Sequence, residues 1–110
     1  MAPRSQIEIT TSSVLRLVRE EASYHRELEQ QAERIKKLED QKDGDDENKE
    51  YLVKQENRAF EETKQLLPIL QGKILDAVAD LKNLITEENL KPEPNNELIA
   101  AANEAINTAS

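Results

Sequence analysis

Val14-Leu-Arg-Leu17-Val-Arg-Glu-Glu21-Ala-Ser-Tyr24-His-Arg-Glu-Leu28-Glu-Gln-Gln31-Ala-Glu-Arg-Ile35-Lys-Lys-Leu38 is the stretch that decides the fold. Its apolar residues Val14, Leu17, Tyr24, Leu28, Ile35 and Leu38 recur at three- and four-residue steps, with Glu21 and Gln31 as polar members of the series. A chain turning once per roughly 3.6 residues places such a series on one face, so the pattern is that of an amphipathic helix with a coiled-coil-like seam. Val18 and Ala32 widen the stripe, and no proline or glycine interrupts it before Gly44. Thr10, Thr11, Ser12 and Ser13 offer hydroxyls for an N-cap, which predicts a first helix over about 12–41. On this reading Gln6-Ile-Glu-Ile9 is an extended lead-in.

Downstream, Asp40-Gln-Lys-Asp-Gly44-Asp-Asp-Glu-Asn48 breaks the helix. Gly44 can supply a positive φ, and Asp45 or Asp46 can cap the next helix. A short loop between long helices implies an antiparallel hairpin. The second helix is expected over about 46–88 and carries two adjoining stripes: Leu52, Ala59, Leu66 and Leu70, beside Val53, Phe60, Leu67, Ile74 and Leu81. So broad a face suits packing against two partners. Pro68 falls within it, but the apolar series keeps its phase beyond, so one long helix kinked near Pro68 is expected. Pro92 and Pro94 end it, and Asn95 or Asn96 can cap a shorter third helix over about 96–108, bearing Leu98, Ile99, Ala102, Ala105 and Ile106.

Composition agrees. The 110 residues include 15 Lys and Arg against 23 Asp and Glu, a net charge of -8, with two glycines, no cysteine and 3% aromatics. Too few glycines and aromatics are present for a β-sandwich or barrel, and no glycine-rich turn suits a doubly wound α/β sheet. The expectation is one all-α domain over residues 1–110, an antiparallel three-helix bundle. The acidic balance argues against nucleic acid and anionic membranes as partners. Without cysteine there is no disulfide framework, and no secretory signal or spanning segment is apparent, so a soluble intracellular protein is expected.

No catalytic set emerges. His25 is the sole histidine, and with no cysteine a zinc site has too few donors, so it reads as a half-exposed helical residue. Aligned as a calcium loop with Gly44 sixth, the acidic segment puts Glu39, Gln41 and Asp43 first, third and fifth and Glu50 twelfth; the first and third ligands are wrong. The many carboxylates read as a solvated face laced by i,i+4 pairs such as Arg16–Glu20 and Glu33–Lys37. No enzyme activity, cofactor or metal is expected. Leu15 falls one step outside the seam; Phe60 is expected in the core, facing the first or third helix, with an exposed partner patch as its other reading.

Several segments together resemble the family of tubulin-specific chaperone A, also called tubulin-folding cofactor A. They are Gln6-Ile-Glu-Ile with Thr11, Val14-Leu-Arg-Leu-Val-Arg-Glu-Glu21, Tyr24, Glu27-Leu28, Gln30-Gln31 and Ile35-Lys-Lys-Leu38. Lys54-Gln55, Glu61-Glu-Thr-Lys64, Leu66-Leu-Pro68 and Asp80-Leu81 complete the set in unchanged order. The resemblance covers roughly residues 6–85, and the tail after Glu88 matches only in offering a third helix. It implies a three-helix bundle that captures quasi-native β-tubulin, holds it without hydrolysing nucleotide, and releases it towards assembly with α-tubulin. Other tubulin-folding cofactors are further implied partners, with a cytoplasmic, cytoskeleton-associated location; the seam, with polar Glu21 and Gln31, is compatible with either a monomer or a weak dimer.

The residues expected to meet tubulin are polar positions of the family pattern on the hairpin's outer faces: Arg16, Glu20, Glu27, Gln31, Glu61, Glu62 and Lys64. Tyr24 joins them, although it occupies a seam slot. The rival reading is an adaptor coiled coil that dimerises through the apolar stripe of the second helix.

Overall fold

The computed structural model describes residues 4–41 and 46–110. Among them are three helices and no strand: α1 (Gln6–Asp40), α2 (Asp46–Asn89) and α3 (Asn96–Ala109). The turn expected at Gly44, with its cap at Asp45 and the central part of the rejected calcium loop, lies outside the described residues.

α1 starts at Gln6, not near residue 12, and Gln6-Ile-Glu-Ile9 is helical rather than extended. The cap is Ser5: its Oγ accepts the Glu8 backbone N–H at 3.3 Å and donates to Glu8 Oε1 at 3.1 Å. This serine–glutamate spacing satisfies a free amide at the helix start and sets a carboxylate in its first turn. The hydroxyl cluster expected to cap the helix lies inside it instead; Thr11 Oγ1 donates back to the Ile7 carbonyl at 2.7 Å. The early start has a tertiary cause. Ile7 is seven residues before Val14 and shares its face, and both are buried in one apolar cluster.

By packing, the chain divides into two compact units. The first comprises Met1–Glu20 and Leu70–Ser110. Here the start of α1, the later part of α2 and α3 enclose Ile7, Val14, Leu81, Ala102 and Ala105. Leu15, Val78, Ile85, Leu98 and Ile106 pack around them, which accounts for Leu15. Val14 and Leu81 are fully buried, and each such side chain contributes on the order of 1.5–3 kcal/mol. Ala102 and Ala105 give α3 a small-residue face that permits close approach. Asn95 is the α3 N-cap, in extended conformation, with its side chain accepting the Leu98 N–H at 3.2 Å.

The second unit is Glu21–Ile69, the hairpin formed by the rest of α1 and the first half of α2. The Lys49 Nζ donates to the Glu39 and Gln41 carbonyls at 2.9 and 2.7 Å, satisfying acceptors left free at the end of α1. Arg34 pairs with Glu56 at 3.6 Å. Later positions of α1 thus lie beside earlier positions of α2, as antiparallel helices require. Pro68 sits inside α2 without ending it. It is exposed, so the Lys64 carbonyl it leaves without an amide donor is on a solvated face.

Candidate functional site: the open flank of the hairpin

In the first unit the apolar face of α2 packs against α3. The second unit contains two helical segments, and a pair of helices buries only a narrow seam. Within it Val53, Ala59, Phe60 and Leu67 are half-buried, while Leu52 and Leu66, expected to face inward, are 37% and 43% exposed. Ile69 is 60% exposed and lies three residues beyond Leu66 on the same side of α2. Glu62, one turn before Leu66, is exposed beside them. Tyr51 is also exposed, and its hydroxyl accepts a hydrogen bond from the Gln55 amide at 2.8 Å. The hairpin therefore offers an apolar flank edged by a carboxylate, the kind of surface through which proteins bind other proteins.

The sequence-predicted contact residues separate on this framework. Arg16 and Glu20 are exposed on α1 within the first unit. Glu27, Glu61, Glu62 and Lys64 are exposed in the second, and Glu62 is the one beside the apolar flank. Tyr24 is half-buried. Gln31 is not on an outer face at all: it is 4% exposed, and its side-chain oxygen is buried with no hydrogen-bond partner. The seven-residue spacing from Tyr24 puts Gln31 in the seam, so the fold overrides its polarity. Thr63, the other buried polar residue of the hairpin, is satisfied by donating to the Ala59 carbonyl at 3.0 Å.

Reading the sequence missed Leu66 and Ile69, because periodicity assigns a residue to a face without saying what covers that face. It also overcounted ion pairs. Arg16–Glu20 and Glu33–Lys37 are not formed among the described residues, whereas Lys54–Glu50 is, at 3.6 Å between exposed groups. His25 is exposed, and among the described residues no group of three His, Cys, Asp or Glu is placed to hold a metal. No helix among them is long and apolar enough to cross a membrane.

Comparison with known proteins locates this architecture. The family model described as Tubulin binding cofactor A matches residues 2–106. The chain belongs to the tubulin binding cofactor A family. The tubulin-specific chaperone A of Saccharomyces cerevisiae is 34% identical over 109 residues, covering 99% of this chain and 93% of its own. That of Rattus norvegicus is 35% identical over 83 residues, covering 76% of this chain and 72% of its own. The tubulin-folding cofactor A of Arabidopsis thaliana is 31% identical over 87 residues, covering 79% and 73%. No solved structure matches.

Proposed function

We propose that this cofactor A family member is a tubulin-folding cofactor that captures quasi-native β-tubulin, holds it without nucleotide hydrolysis, and passes it on towards αβ-tubulin assembly. The observation that carries this is the family match over residues 2–106. The hairpin supplies a physical means. Leu66 and Ile69, three residues apart on α2, form an exposed apolar flank that can cover apolar client surface until the client's assembly partner covers it. Holding of this kind works by mass action: binding the folded client lowers the concentration of species free to aggregate, and moderate affinity leaves hand-over possible. Glu62 beside the flank, and the exposed Glu61, Lys64, Glu27, Arg16 and Glu20 elsewhere on the surface, are proposed as polar contacts to the client. Exposed charges of this kind add selectivity and on-rate more than affinity.

Size-exclusion chromatography of this chain mixed with dilute, dissociating αβ-tubulin tests the proposal. A complex holding this chain and β-tubulin without α-tubulin is expected. Elution unchanged by tubulin would overturn it, and self-association through the same flank would then favour an adaptor coiled coil.

A further inference from the structure

Although the chain carries a net charge of -8, one face of the hairpin is basic. Ser23, Arg26, Gln30, Arg34 and Lys37 succeed one another along α1 at three- and four-residue steps, and all are exposed. Ser23, Arg26, Gln30 and Arg34, with Glu27 at the rim, line an open depression of about 450 Å³. Arg26 and Lys37 have no carboxylate within ion-pair distance among the described residues. Arg34 is held only by Glu56 at 3.6 Å, a half-exposed pairing worth little in water.

A second feature adjoins this stripe. Arg34 and Lys37 also wall a groove of about 300 Å³ between α1 and α2, together with Leu38, Leu52, Gln55 and Glu56. Leu38 and Leu52 are its apolar members, and Leu52 is 37% exposed. An apolar recess with cations along one border presents the complement of a carboxylate-rich segment bearing an apolar side chain.

We infer that this face docks an acidic peptide segment of a partner protein, its apolar anchor seated over Leu38 and Leu52 and its carboxylates on Arg26 and Lys37. Nucleic acid anchors by stacking its bases on aromatic rings, and none lines this groove. The -8 charge of the whole chain also disfavours any polyanion that does not find this local site. Along the helix, Arg26 and Lys37 are separated by about 16 Å at roughly 1.5 Å per residue, the reach of about five extended residues. A short unstructured acidic stretch can therefore touch both cations while placing one side chain in the groove. The inference does not depend on the partner being tubulin.

Fluorescence anisotropy with the full chain tests it, using a labelled peptide with a central phenylalanine flanked on both sides by runs of glutamate. Saturable binding that weakens as salt rises is expected, with no binding of the counterpart in which lysines replace the glutamates. The Arg26→Glu/Lys37→Glu variant should weaken binding by roughly tenfold, and Arg26→Gln/Lys37→Gln by less. Both residues are exposed, so circular dichroism should show an unchanged fold. Replacing the peptide's phenylalanine with glycine should cost several-fold in affinity. Absent saturable binding, equal binding of the lysine peptide, or full binding by both variants would overturn the inference. Since no tubulin is present, such a result would leave the capture of tubulin unaffected.

Discussion

Glu88, at the end of α2, accepts the backbone N–H of Asn95 through Oε2 at 3.0 Å, while its Oε1 accepts Lys91 Nζ at 2.9 Å. Asn95 is itself the N-cap of α3, so one carboxylate ties the exit of one helix to the entry of the next. The residue is only 8% exposed. The bond from Asn95, and then that from Lys91, hold the Glu88 pKa below its ordinary 4.5 against the opposing effect of desolvation.

A lowered carboxylate pKa stabilises the fold above the unfolded value and loses that contribution as pH falls through the folded value. Glu88→Gln should therefore melt at a lower temperature than the parent at neutral pH. The difference should shrink as pH falls below 4.5, where the parent's carboxylate also becomes neutral. Thermal melts followed by circular dichroism across this range check it; identical midpoints at neutral pH would contradict the tie.

Ser5→Ala and Asn95→Ala each remove a side-chain acceptor from a helix start, and each should cost about 1 kcal/mol. Urea denaturation reads both. Ser5→Ala is the sharper test of where α1 begins, because a helix starting near residue 12 would not respond to it.

Gln31→Leu should stabilise the protein by about 1 kcal/mol, against the usual direction of single substitutions. The side-chain oxygen of Gln31 is buried without a partner, and leucine removes that burden while keeping similar bulk. A loss of stability in the denaturation midpoint would mean that the amide is satisfied in solution.

Leu81→Ala should cost about 2–5 kcal/mol, since Leu81 is fully buried where α1, α2 and α3 meet. Leu75→Ala, six residues earlier on the same helix but 71% exposed, should stay within about 0.5 kcal/mol. Calorimetric midpoints for the pair separate core from surface on one helix.

For the proposed client surface, Leu66→Ser/Ile69→Ser should weaken tubulin capture by about tenfold with helicity unchanged. Glu61→Lys/Glu62→Lys should weaken it as well, more modestly and with a salt dependence. Pull-down with graded tubulin measures both, and unaltered capture by either pair would remove its residues from the proposed interface.

Much of the architecture comes from local rules that need no partner. The seam of α1, the passage of α2 through Pro68, the stop before Pro92 and the Asn95 cap all rest on spacing, backbone chemistry and capping groups that a sequence displays directly. The early start of α1 was legible too, in the Ser5-Gln-Ile-Glu8 spacing, but the hydroxyl run at Thr10–Ser13 offered a competing cap. Ile7 decides between them by gaining burial only when the helix extends to include it. The exposure of Leu66 and Ile69 was not legible, because it depends on which segments lie opposite, whereas the burial of Gln31 follows from its place in the α1 seam series. α3, spanning 14 residues, packs on the α2 face within the unit that contains it, and the hairpin unit is built from parts of α1 and α2. The sequence by itself determined where helices run and which faces are apolar, because periodicity and capping are properties of neighbours along the chain. Tertiary structure alone decided which of those faces are covered, because covering a face requires residues distant in sequence. That decision left Leu66, a member of an α2 apolar stripe, at the surface.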